Sequence, residues 1–156
     1  MSPQWQRLAV GVGIALGLIP MSARASCTGP LATASGVAFG SYNAALPSDS
    51  TANGSITVSC SLVLDSLPPL TIALSAGTSS SFSTRKLAFG GSKLSYNLYT
   101  SPAFTSIWGD GTAGTVTESY TAGARSVTLT VYGRLPKSQF SAPGPYTDAI
   151  TVTVTF

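Results

Sequence analysis

Nucleophilic catalysis needs a nucleophile with a base beside it, and this chain of 156 residues contains no histidine to be that base. Serines are plentiful, but Lys93 and Lys137 would have to be buried before either could accept a proton. The five carboxylates are Asp49, Asp65, Asp110, Glu118 and Asp148. Acid–base pairs need two carboxylates held a few ångströms apart, and these five are scattered over turn-like segments. Asp110, inside "WGDG", is the most tempting, yet an Asp in that setting ordinarily bonds nearby backbone N–H groups. A hydrolase would require Asp110 or Asp148 beside a second acid in a cleft. "GDG" lacks the strand–loop–helix setting of a phosphate loop, and no acids cluster as an oxygen-ligand calcium site requires. The residue types argue against an enzyme and imply no cofactor and no metal.

The two cysteines, Cys27 and Cys60, are the remaining reactive groups. A redox or metal role would need a third cysteine or a histidine, and the chain has neither. Both cysteines follow a segment with the features of a secretory signal. Arg7 precedes an apolar run over residues 8–19, Pro20 breaks the run, and Ala23-Arg24-Ala25 supplies small residues at the cleavage positions. Twelve apolar residues (8–19) make about 18 Å of helix, too short to cross a hydrocarbon core of roughly 30 Å. Residues 1–25 are therefore expected to be a signal peptide, and 26–156 one exported domain with no membrane span. Two exported cysteines read as a Cys27–Cys60 disulfide, with a stabilisation of about 3–4 kcal/mol on the chain-entropy model.

Two of the eight cations, Arg7 and Arg24, leave with the signal, so six cations face five acids and the exported net charge is +1. No basic run remains, which argues against nucleic acid or anionic lipid as a partner. The apolar content is too high for disorder.

The elements that must carry these residues are strands. Period-two alternation recurs after the signal: Val37 and Phe39 in 36–42, Ile56 to Leu64 in 54–64, Leu70 to Leu74, Leu94 to Leu98, and Val127 to Val131. The chain closes on "YTDAITVTVTF", where Ile150, Val152, Val154 and Phe156 share one face. Turn signals such as "PSDSTANG", "DSLPP", "SAGTSSS" and "FGGS" separate the runs. Seven or so short strands, each with one apolar face, need a second sheet to cover that face, and an immunoglobulin-like β-sandwich follows. The longest irregular stretch, 101–114, holds Phe104, Ile107 and Trp108. These aromatics either lap over the end of the sandwich or form a surface-binding loop.

The segments "CTGPLATASGVAFGSYNA", "GSITVSC", "LSYNLYTSPAFTSIWGDG" and "VYGRLPKSQFSAPGPYTDAITVTVTF" together resemble the spore coat protein U domain family. That family includes secreted pilus subunits of the archaic chaperone–usher pathway. The resemblance covers nearly all of 26–156, and its paired cysteines fall on Cys27 and Cys60. It implies an incomplete, pilin-type sandwich lacking its last strand, with a groove edged by Ile150, Val152, Val154 and Phe156. The chain stops where the missing strand should begin. A periplasmic chaperone fills such a groove with its own strand, and a neighbouring subunit's extension replaces it at the outer-membrane usher.

The implied partners are that chaperone, the usher and other pilus subunits, and the implied location is the cell surface, in a pilus or coat. Only Ser26 precedes Cys27 after cleavage, whereas a donor strand needs roughly ten residues. The expectation is thus a tip or minor subunit that accepts a strand without supplying one, in a fibre serving adhesion or biofilm formation. The alternative is a self-contained secreted β-sandwich that acts as a coat or ligand-binding module.

Overall fold

The structure, a computed structural model, describes residues 31–60, 69–121 and 124–155. The signal segment, Cys27 and Phe156 lie outside them. Eight strands run in chain order: β1 (Leu31–Ser35), β2 (Ser50–Ser59), β3 (Leu70–Leu74), β4 (Arg85–Phe89), β5 (Ser92–Tyr99), β6 (Glu118–Tyr120), β7 (Ser126–Leu135) and β8 (Val152–Thr155). A single turn of 3₁₀-helix, Gly77–Ser79, follows β3. Among the described residues no helix is long and apolar enough to cross a membrane.

The strands form two antiparallel sheets, ordered β1-β2-β7-β5-β4 and β6-β3-β8. Alternation sets which face is buried. Along β2, Ile56 and Val58 point inward, followed by Cys60; along β7, Val131 and Leu135 do so; along β3, Leu70, Ile72 and Leu74 come from the facing sheet. With Leu94, Tyr96, Leu98 and Trp108 they make one core. The expectation of an all-β sandwich holds.

Two local readings change. "STANG" is not part of a turn but the first half of β2, paired with β7 from Ser50 opposite Leu135 to Gly54 opposite Val131. Gly54 sits there because a Cβ would lie 2.6 Å from the carbonyl oxygen of Ser35, an approach only glycine permits. The run 36–42 is not a strand of either sheet. Val37 and Phe39 do pack on the core, as their alternation implies, but the segment has no ladder partner there.

The centre of the large sheet is closed by a side chain. β7 leaves the sheet after Leu135, where Pro136 follows. Beyond that point the Gln139 carboxamide takes the place of backbone: Ser95 N–H donates to Oε1 at 2.6 Å and Nε2 donates to the Ser95 carbonyl at 2.8 Å.

Candidate functional site: an open groove between the sheets

β1 and β8 are end strands of their respective sheets. β1 is paired with β2 alone, Leu31 opposite Ser59, and β8 with β3 alone, Leu74 opposite Val152. The segments continuing from them, 36–42 and 141–151, line a trough with two chambers. One, of about 310 Å³, is bounded by Val37 and Phe39 on one lip and Asp148, Ile150 and Val152 on the other. The second, of about 580 Å³, shares Val37 and Phe39 and continues between Tyr42 and the loop from Ser141 to Tyr146. Residue numbers fall along one lip as they rise along the other, so the lips run antiparallel.

The floor of the smaller chamber is the core itself: Ile56, Leu74, Leu98 and Val131. Val37, Phe39, Ile150, Val152 and Val154 are only half-buried while packed against it. They form a strip of apolar surface left partly open to water.

The backbone of the β8 lip is also turned toward the trough. In an antiparallel ladder, residues alternate between exchanging both hydrogen bonds with their opposite and exchanging neither. The Leu74 N–H donates to the Gly109 carbonyl (3.0 Å) and not to Val152 opposite it, whereas Ser75 N–H donates to the Thr151 carbonyl (3.0 Å). Thr151 therefore spends its peptide groups on the β3 side, where the Ser75 hydroxyl also accepts from Thr151 N–H at 2.9 Å. Those of Ile150 and Val152 face the trough.

Glycine and tyrosine hold the opposite lip. A Cβ on Gly133 would sit 2.4 Å from Val37 and 2.9 Å from Phe39. The bare backbone of β7 at Gly133 is thus what lets this lip lie flat on the sheet. At its far end the Tyr42 hydroxyl donates to the Pro136 carbonyl (2.8 Å) and accepts from Gln139 N–H (2.9 Å).

A buried guanidinium fastens the floor. Arg85 is 0% exposed. Its Nη2 donates to the carbonyls of Ser75 (2.8 Å) and Trp108 (2.7 Å), Nη1 to Asn97 Oδ1 (2.7 Å) and Nε to Ser75 again (3.1 Å). Burial lowers its pKa from the usual arginine value, opposed by the fields of Tyr96, Asp148 and Tyr99. Asn97 in turn donates to the carbonyls of Phe82 and Ser83. The "YNLY" and "WGDG" stretches thus contain parts of one clamp.

Of the two readings given for Phe104, Ile107 and Trp108, an aromatic lap over the sandwich or a surface-binding loop, the second does not hold for Trp108. It is 0% exposed, its indole N–H donates to the Ile72 carbonyl at 2.9 Å, and its own N–H donates to the Leu98 carbonyl. The loop folds back on β5, so the largest aromatic goes inward. Phe104 and Ile107 keep part of their surface. Phe104 stands edge-on to Tyr99 at 5.3 Å, with Arg134 5.9 Å from its ring centre.

The two carboxylates considered for hydrolysis bond hydroxyls and amides. Asp110 Oδ1 accepts from Thr112 N–H (2.9 Å) and its hydroxyl (2.6 Å), which lowers its pKa. Asp148 accepts from Thr78 and Tyr96. Of the expected groove residues, Ile150 and Val152 line the smaller chamber, Val154 packs on the core without lining either chamber, and Phe156 is outside the described residues. Cys60 is in the core, while Cys27 is outside the described residues; no described cysteine is free. Val37, Phe39, Gly133 and Asp148 were not foreseen as groove residues, although a glycine inside a strand pattern signals a close approach.

Among known proteins, the CsuC–CsuE chaperone–tip adhesion subunit pre-assembly complex, from archaic chaperone–usher Csu pili of Acinetobacter baumannii, matches with a TM-score of 0.56 at 20% identity. The match covers 81% of this chain and 40% of that one, so this chain spans less than half the length of the chain it resembles. Protein U of Myxococcus xanthus is 32% identical over 127 residues, covering 76% of this chain and 70% of that protein. The Spore Coat Protein U domain model matches residues 15–153. The chain belongs to the Spore Coat Protein U domain family.

Proposed function

We propose that this protein is an exported subunit of a chaperone–usher surface fibre and that its trough takes up a β-strand from another protein. The observation that carries the reading is the pair of facing, unjoined edges. Half-buried Val37 and Phe39 stand across from Ile150 and Val152, with the core as floor between them. A strand laid there would join both sheets, pairing with the peptide groups of the β8 lip and covering the apolar strip. A periplasmic chaperone supplies the first strand, a neighbouring subunit the next, and the outer-membrane usher is where they are exchanged.

Cleavage after Ala25 would leave Ser26 alone ahead of Cys27. This supports a tip or minor position, from which the fibre acts in adhesion or biofilm formation. The N-terminus of the exported protein, read by mass spectrometry, tests that placement. A Cys27–Cys60 disulfide is supported by the register of β1 on β2, because Leu31 opposite Ser59 brings Cys60 to the start of β1.

Co-expression with the chaperone is the experiment. Wild type should give a soluble one-to-one complex, and Ile150→Arg, which puts a cation on the lip, should abolish it while Thr151→Arg on the outer face does not. A monomer that melts cooperatively at high temperature without partner, and binds no chaperone, would refute the reading in favour of a self-contained module.

A further inference from the structure

Among the described residues that line the two chambers, Asp148 carries the only charge. It stands in the same inward row as Ile150 and Val152, two and four residues on, at the junction where the smaller chamber gives way to the larger. Its two oxygens are unequally served. Oδ1 accepts from Thr78 N–H (2.9 Å), the Thr78 hydroxyl (2.8 Å) and Ala149 N–H (2.9 Å). Oδ2 accepts from the Tyr96 hydroxyl at 2.7 Å.

A carboxylate offers about four acceptor sites over its two oxygens; three donors share Oδ1 and one reaches Oδ2. Tyr96 keeps its proton, because burial and the bond to Asp148 both raise its pKa, so the pair is a fixed hydroxyl-to-carboxylate bond. Gly77, at φ +70°, presses its Cα side on Oδ2: a Cβ there would come within 2.3 Å. Oδ2 is held in place, and Asp148 lines the smaller chamber of the trough.

A strand inserted along this lip places alternate side chains opposite Asp148, Ile150 and Val152. An aliphatic side chain opposite Asp148 would cover a charged acceptor without giving it a bond, which is unfavourable. A long cation is the poorer answer, because the Arg85 guanidinium already opposes the Asp148 charge.

We propose that Asp148 is the specificity-determining residue of the trough, selecting a strand with a short hydroxyl or amide side chain (Ser, Thr or Asn) opposite it and apolar residues at the alternate positions on both sides. This rests on the strand-uptake reading and deepens it.

The test uses the full exported chain and synthetic eleven-residue strands with valine at every inward position. Valine is exchanged for threonine, its near-isostere, at one inward position at a time, and affinity is read by fluorescence anisotropy. One position should bind about tenfold or more tightly with threonine, as expected for a hydrogen bond to a charged acceptor, and the others more weakly. In Asp148→Asn that advantage should fall below about threefold, by loss of the charge on the acceptor. Should Asp148→Asn fail to fold, the scan on wild type still decides. Valine equal to or better than threonine at every position overturns the proposal and leaves strand uptake standing. Binding of no alternating peptide at all overturns both.

Discussion

Replacing Arg85 by methionine should remove a large part of the protein's stability. Methionine keeps much of the stem's volume and loses every donor. The Asn97 side-chain oxygen would retain a partner in Leu98 N–H (3.0 Å). The carbonyls of Ser75 and Trp108 would lose the guanidinium donors they have now. Each buried carbonyl left without a donor costs about 1–3 kcal/mol, so two cost about 2–6 kcal/mol. Burying the guanidinium is itself unfavourable, and its removal returns part of this, so the net loss lies inside that range, at about 3–4 kcal/mol.

Folded domains are stable by roughly 5–15 kcal/mol, so the variant would be marginal. Arg85→Lys should fall between, at about 1–3 kcal/mol, because three donors on one nitrogen cannot span the planar fork. Urea titration of exported protein, with the trough filled by the same strand in each variant, measures the differences. Trp108 reports directly, since the other tryptophan, Trp5, lies in the predicted signal. An Arg85→Met variant within about 1 kcal/mol of wild type would refute the clamp. Because Ser75 also bonds Thr151, the variant should lose strand affinity along with stability.

Gly133→Ala should cost about 1–3 kcal/mol by overpacking and weaken chaperone binding, because the new Cβ displaces Val37 and Phe39; an equivalent Thr130→Ala on the outer face should do neither. Trp108→Phe removes the indole donor to the Ile72 carbonyl and leaves a small void, and should lower stability by about 2 kcal/mol in the same urea assay. Asp49 accepts from Lys137 N–H and pairs with Arg134, contacts that hold its pKa below 3.8. A depressed carboxylate stabilises the fold above its unfolded pKa and ceases to as pH falls through the folded value. Asp49→Asn should therefore cost about 0.5–1 kcal/mol at pH 6, with the gap to wild type closing below pH 3.8 in paired melting curves.

Much of the sandwich was legible because alternation is local. Val58, Ile72 and Val131 declare their inward faces within a few residues of sequence. So did the β8 lip, where Ile150, Val152 and Val154 form an unbroken row. The opposite lip was half legible: Val37 and Phe39 alternate as a strand does, but only the fold shows that they join neither sheet. Trp108 was left open between an inward and an outward placement because glycines and Asp110 surround it, and turn residues say nothing about which way an adjacent indole points. Arg85 and Asp148 draw their roles from partners far along the chain, Trp108 and Asn97 for one, Thr78 and Tyr96 for the other. No spacing rule joins such residues.

Gln139 carries a consequence for how the protein meets other chains. Where β7 departs, the peptide of Ser95 would be a second berth for a foreign polypeptide, in the middle of the larger sheet. A primary amide has the donor and acceptor of a peptide bond without the chain attached, so it plugs that berth and cannot be lengthened into a ladder. On the strand-uptake proposal, an incoming segment is thereby turned away from the sheet's interior and left with the trough between the two end strands.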